Sequence, residues 1–147
     1  VIEAGGGGKF LKKQNINFSL EKLYPQATLL TPNLNELKIL SGCKTEKDSI
    51  NSLLDLGIKN IFVTGKSRKN EVISTLFVNG IKELDVKAKK ISKTFHGSGC
   101  ALSTSILCNF IKTKDLKESC LNANDYMRKI LKNSIKTKNQ DLINFGL

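Results

Sequence analysis

Ile61-Phe62-Val63-Thr64-Gly65 runs apolar and β-branched without polar alternation and stops on a glycine. A half-buried strand alternates in polarity; one that does not is covered on both faces, as in sheets flanked by helices. That requirement shapes the reading of the neighbouring segments. Val72 to Val78 and Ile81 to Val86 flank Asn79-Gly80, a pair that tolerates the positive φ of a tight hairpin. Upstream, Thr31-Pro32-Asn33 opens a helix in which Asn33 can cap, Glu36 holds the third helical position and Gly42 can end the run. A second helix follows Thr45, with Asp48 three positions on, Ile50, Leu53 and Leu54 as its apolar stripe and Gly57 as its stop.

The remaining segments complete an alternating order. Val1 to Ala4 reads as the end of a strand and Gly5 to Gly8 as a turn or close-approach loop. Leu20 to Leu23 predicts a short helix and Ala27 to Leu30 a buried strand. Two helices, from about Gly97 to Ile111 and about Asp115 to Ser134, close the chain. Strands separated by helices predict an α/β fold with a sheet covered on both faces. At 147 residues, with no internal repeat and no linker, one domain is expected. A sheet seldom begins on a glycine-flanked strand end, and the chain opens on Val1 rather than Met, so further strands are expected upstream.

Charge bears on partners. With 24 Lys and Arg against 13 Asp and Glu, the net charge is +11. Nucleic-acid binding would need those cations clustered and interleaved with aromatics. They are scattered in ones and twos, Lys87, Lys89 and Lys90 being the densest group, and only seven Phe and two Tyr accompany them. No nucleic-acid partner is expected, and the charge suits either a plain Lys-, Asn- and Ile-rich compositional bias or the attraction of an anionic substrate. No apolar run approaches the roughly 18 residues of a membrane-spanning helix, so no membrane partner is expected. Cys43, Cys100, Cys108 and Cys120 form no CxxC pair, and His96 four residues before Cys100 makes a poor zinc site without further ligands. Cys108 and Cys120 fall in helical patterns as buried apolar residues, which suits a reducing, cytoplasmic setting.

The last strong feature is Gly97-Ser98-Gly99-Cys100 ahead of a helix whose Leu102, Ile106, Leu107, Phe110 and Ile111 would pack one face on the sheet. Glycines leave the first helical N–H groups unobstructed, and those donors with the helix dipole make an anion site. Cys100 therefore sits where negative charge is favoured, which suits a sulfur acting as a base. The same residues also fit a plainer assignment, with Ser98 as an N-cap and Cys100 as a small buried side chain.

Phe95-His96-Gly97-Ser98-Gly99-Cys100 and the small-residue helix after it resemble the THGTGC signature of hydroxymethylpyrimidine/phosphomethylpyrimidine kinases of thiamine biosynthesis, in the ribokinase-like superfamily. Ala27 to Glu36 is similar to that family's strand and TPNxxE stretch, Ile61 to Gly65 to its strand ending in a nucleotide-contacting glycine, Leu76 to Gly80 to the hairpin that follows, and Ala123 to Met127 to its closing helix. The resemblance implies a ribokinase-like three-layer α/β/α sandwich with a mostly parallel sheet and a terminal β-hairpin, of which residues 1–147 are the carboxy-terminal half of one kinase domain. It implies phosphoryl transfer from MgATP to a hydroxymethylpyrimidine or its monophosphate, with ATP and Mg2+ as cofactors. By the same resemblance Cys100 would take the position of the base and touch substrate, with His96 either contacting substrate or ordering the loop. Gly97, Ser98 and Gly99 would form the anion hole. Asn33, Glu36, Thr64, Gly65 and Lys66 would line the nucleotide site, with Glu36 holding magnesium directly or through water.

The chain departs from the family pattern in places. Family members usually carry Lys where Thr64 stands and Gly where Lys66 stands, so Lys66 would have to reach back to phosphate. Gly5 to Gly8 replaces a Lys-Ser-Gly-Asp type of segment, and Phe95 replaces Thr. Hydroxyethylthiazole and pyridoxal kinases share the fold, and His96 before Gly97 favours the pyrimidine branch. A half domain exposes a sheet edge, so its amino-terminal half or a second copy is expected as partner. The alternative from another class is a non-catalytic truncated remnant that binds nucleotide or a partner without turnover.

Overall fold

The computed structural model describes residues 13–91, 93, 95, 97–136 and 141–145. They fall into two compact units, one up to Lys89 and one from Lys90 onward. The expected strand end Val1 to Ala4, the Gly5 to Gly8 loop and His96 lie outside the described residues.

The first unit comprises α1 (Lys13–Lys22), a 3-10 turn (Tyr24–Gln26), α2 (Leu34–Ser41), α3 (Glu46–Asp55), β1 (Asn60–Arg68), β2 (Glu71–Val78) and β3 (Ile81–Lys89). Helix α2 begins on a full capping box. The Glu36 N–H donates to Asn33 Oδ1 at 2.9 Å, and the Asn33 N–H donates to Glu36 Oε2 at 3.0 Å. Gly42 ends the helix in the left-handed region at φ 70°. Thr45 caps α3 by accepting from the Asp48 N–H. The Ser41 hydroxyl donates to the buried Ser49 hydroxyl at 2.9 Å, which ties the end of α2 to the start of α3. Helix α1 begins well before the expected Leu20 and ends at Lys22, because Ile16 joins Leu20 in the core and extends the amphipathic stripe one turn back.

Strands β1, β2 and β3 form an antiparallel meander. Its second turn is Asn79-Gly80 at φ 49° and 79°, as the pair predicts. Ile61, Phe62 and Val63 are all inaccessible, so β1 is covered on both faces as its unalternating run requires. Ile61 and Val63 pack with Leu37, Leu40, Ile50, Leu53 and Ile58 in the core formed with the helices. Each such side chain contributes about 1.5–3 kcal/mol of burial. The expected buried strand Ala27 to Leu30 is instead an extended segment that is exposed at Ala27 and half-buried at Leu30. It runs parallel to β1 through two isolated bridges, Leu30 to Ile61 and Asn33 to Thr64. The Leu30 N–H donates to the Asn60 carbonyl, the Phe62 N–H to the Leu30 carbonyl and the Thr64 N–H to the Pro32 carbonyl, at 3.0, 2.8 and 2.9 Å. Among the described residues this segment has β1 on one side and no strand on the other, which leaves it too weakly paired to form a regular strand.

The second unit is a helical hairpin, α4 (Ser98–Thr113) and α5 (Leu116–Lys132), followed by the short pair β4 (Ile135–Lys136) and β5 (Asp141–Leu142). The two expected helices are therefore followed by a small antiparallel pairing that lacked a sequence signal. Lys114, at φ 58°, turns the chain between the helices, and Asp115 caps α5 by accepting from the Glu118 N–H at 2.9 Å. Ser119, Cys120, Ala123, Met127 and Ile130 form the buried stripe of α5. Burial pushes the Cys120 thiol up to about 12, with the nearby Asp115 carboxylate adding to the shift. Helix α4 corrects the expected stripe. Ile106 is buried, whereas Leu107 and Ile111 are 57% and 59% exposed and Cys108 is exposed rather than buried. No described helix is long and apolar enough to cross a membrane.

Candidate functional site

The candidate residues fall in both units, and each set has its own geometry. In the first unit, β1 carries Thr64, Gly65 and Lys66 past the start of α2. The bridge from Asn33 to Thr64 sets the capping residue beside the strand, and the Thr64 N–H and hydroxyl both donate to the Pro32 carbonyl, at 2.9 and 3.4 Å. Register along β1 and β2 passes from Val63 opposite Thr75 to Lys66 opposite Ile73, so Thr64 and Gly65 together face Ser74 in a β-bulge. Gly65 stands at φ 71° and is exposed, and its N–H donates to Ser74 Oγ over 3.4 Å. A Cβ there would meet nothing within 4 Å, so the glycine is required by backbone conformation rather than by crowding.

Lys66 does not extend toward solvent. Its Nζ lies 2.9 Å from Glu46 Oε1 and 2.6 Å from Thr75 Oγ1. The Thr75 hydroxyl in turn donates to Asp85 Oδ1 at 2.6 Å, and Lys82 Nζ lies 2.7 Å from Asp85 Oδ2. The Lys82 hydrogen bond, then the Thr75 hydrogen bond, hold the Asp85 carboxyl below the usual aspartate range against its partial desolvation; the Lys82 and Lys66 charges add to the effect. Glu46, Thr75 and Asp85 were not among the sequence candidates. Thr75 sits inside an apolar strand, and only the bulge brings Lys66 onto its face.

In the second unit, the α4 start differs from the plainer sequence assignment. The N-cap is Gly97, left-handed at φ 78°, with no side-chain cap, and Ser98 is the first helical residue. The first intrahelical bond runs from the Ala101 N–H to the Gly97 carbonyl, so the amides of Ser98, Gly99 and Cys100 have no intrahelical acceptor. No acidic side chain stands in this first turn, leaving the positive end of the dipole uncompensated by its own helix. Gly97, Gly99 and Cys100 are exposed, so Cys100 is not the small buried residue of the plainer assignment.

A magnesium ion implied by the resemblance would draw on few protein ligands. Among the described residues no three His, Cys, Asp or Glu side chains converge. Glu36 would supply one carboxylate, whose Oε2 accepts from the Asn33 N–H. One carboxylate fits a magnesium ion whose shell is completed by substrate phosphates and water.

The phosphomethylpyrimidine kinase family model matches residues 1–143. The hydroxymethylpyrimidine/phosphomethylpyrimidine kinase of Aquifex aeolicus is 28% identical over 152 aligned residues, covering 99% of this chain and 60% of the relative. That of Helicobacter pylori is 30% identical over 144 residues, covering 92% and 54%. Among solved structures, the pyridoxal kinase from Staphylococcus aureus in complex with AMP-PCP superposes with a TM-score of 0.81 at 20% identity, covering 92% of this chain and 52% of that one. The chain spans little more than half the length of these relatives. A family match over nearly every residue, joined to a shared α/β fold, places this chain in the phosphomethylpyrimidine kinase family.

Proposed function

We propose that residues 1–147 are the carboxy-terminal half of a ribokinase-like kinase domain, a three-layer α/β/α sandwich with a mostly parallel sheet, that transfers the γ-phosphoryl group of ATP to the hydroxymethyl oxygen of a pyrimidine or to its monophosphate. The observation that carries this reading is the family match extending through the Gly97 to Cys100 turn, whose helix starts on open glycines with first-turn amides that have no intrahelical acceptor. In this transfer the substrate oxygen bonds to the γ-phosphorus, the bond from that phosphorus to the bridging oxygen breaks and ADP leaves. Where the attacking group is the hydroxymethyl hydroxyl, its proton passes to Cys100 in its thiolate form, leaving the thiol; a phosphate dianion attacks without one. The amides of Ser98, Gly99 and Cys100 hold the charge on the transferring group, a positioning and electrostatic task. Gly65 lets the nucleotide approach the β1 backbone, and Asn33 and Glu36 serve both as cap and as neighbours of the phosphates. A magnesium ion held by Glu36 and the phosphates would neutralise charge on the triphosphate. His96 belongs to the substrate side of this reading.

The parallel bridges of the Leu30 to Asn33 segment support a larger sheet continuing beyond it, supplied by the amino-terminal half of the domain or by a second copy. A cytoplasmic setting agrees with four free cysteines. The test is a substrate panel with labelled ATP on the full-length protein. Phosphorylation of hydroxymethylpyrimidine or its monophosphate in preference to hydroxyethylthiazole and pyridoxal is expected. Preference for either of the others overturns the substrate assignment, and nucleotide binding without turnover of any of them favours the remnant.

A further inference from the structure

Thr75 is 1% exposed, yet its hydroxyl is used in both directions, accepting from Lys66 Nζ and donating to Asp85 Oδ1. With Glu46 at one end and Lys82 at the other, five groups stand in series, two anions and two cations about one hydroxyl. Such a series is cooperative, and a partner removed from it leaves a neighbour unsatisfied in a poorly solvated place. The series reaches Lys66, the residue immediately after the exposed bulge. Within the bulge, Thr64 is held by its two bonds to the Pro32 carbonyl. Between those anchors, the Gly65 N–H makes a long 3.4 Å contact to Ser74 Oγ. The conformation of Gly65 is bracketed by its neighbours, and the anchor on the Lys66 side is the buried hydroxyl.

We propose that Glu46, Thr75 and Asp85 are positioning residues that act through Lys66 to hold the Gly65 bulge in the shape the nucleotide meets. The inference rests on the reading of Gly65 as a nucleotide contact. Valine at position 75 has nearly the volume of threonine but neither accepts nor donates, whereas serine does both. In the full-length protein, Thr75→Val should speed hydrogen exchange at the Gly65 amide and raise the Kd for ADP, each by about tenfold, as expected for losing hydrogen bonds to charged groups. The kcat at saturating ATP should stay within about twofold, since an interaction that acts in nucleotide binding moves KM rather than kcat. Thr75→Ser should restore both values. Unchanged Gly65 exchange in Thr75→Val overturns the relay. In the wild-type protein, ADP should protect the Gly65 amide; no protection overturns the nucleotide contact and the inference with it. Protection in the wild type together with unchanged ADP affinity in Thr75→Val overturns the relay alone. Should Thr75→Val fail to fold, Asp85→Asn, which keeps the shape and weakens the acceptor, takes its place: faster Gly65 exchange with weaker ADP binding supports the relay, and no change in either overturns it.

Discussion

Asn33 is both the cap of α2 and a proposed neighbour of the phosphates, and two substitutions separate those roles. Asn33→Ala removes the oxygen that accepts from the Glu36 N–H. It keeps the reverse bond, because the donor to Glu36 Oε2 is the main chain of residue 33 itself. One of two reciprocal bonds at an exposed helix start is lost, so a cost of about 1 kcal/mol is expected, within the roughly 0.5–2 kcal/mol seen for such caps. Asn33→Asp retains the acceptor. Its added charge is favoured by the helix dipole by about 0.3–1 kcal/mol and opposed by the nearby Glu36 carboxylate, so stability should stay within about 0.5 kcal/mol of wild type. A negative charge beside phosphates should nevertheless weaken ADP binding several-fold. Urea unfolding at constant m-value reads the first quantity, and calorimetric titration with ADP reads the second. An Ala variant as stable as wild type refutes the cap, and an Asp variant that binds ADP as tightly as wild type refutes the placement beside phosphates.

Gly80→Ala should destabilise the protein by about 1–3 kcal/mol, read as a lower urea midpoint, because position 80 lies at φ 79° and its new Cβ would come within 2.6 Å of Leu54 Cδ1. Cys100→Ala should lower kcat by about 10²–10⁴ while leaving the Kd for ADP unchanged, since a base acts in the transition state; an equal loss of nucleotide affinity would assign the sulfur a binding role. Iodoacetamide at neutral pH should label the exposed Cys100 and Cys108 and spare Cys120, whose thiol is buried and pushed up to about 12; mass spectrometry of the native protein reads the order. The depressed Asp85 carboxyl contributes stability above the unfolded aspartate value of about 3.9, and that contribution is lost as pH falls through the lower folded value. Asp85→Asn should therefore flatten the acid limb of the stability profile below about pH 4, and an unchanged limb would show that the carboxyl is not held down.

Features encoded within a few residues were legible in the sequence. Asn33, Glu36 and Gly42 bracket α2 through contacts no more than four residues apart, and Asn79-Gly80 specifies its own turn by tolerating positive φ. The unalternating Ile61 to Val63 run also announced burial on both faces. What failed depends on distant partners. Ala27 to Leu30 has an apolar composition that fits a strand, but pairing on one side only leaves it as bridges. Leu107 and Ile111 fit a buried helical stripe, yet helical periodicity names a face without saying what covers it. At the candidate site, the Gly97 to Cys100 turn was readable because glycine and helix start are local. The series from Glu46 to Lys82 was not, because it joins residues up to 20 positions apart through a strand register that slips at Gly65.

The parallel contact of Leu30 to Asn33 with β1 spans about thirty residues, whereas the two β-turn pairings and the α4–α5 hairpin join neighbours in the chain. Closing that longer loop costs entropy before any contact rewards it, so it is late to form and early to open. The juxtaposition of Asn33 with Thr64 is thus the final stitch of the first unit. Brief excursions that unzip it would disassemble the proposed nucleotide cradle while the meander stays whole, giving the protein an inactive but still folded species from which it can recover without passing through the denatured state.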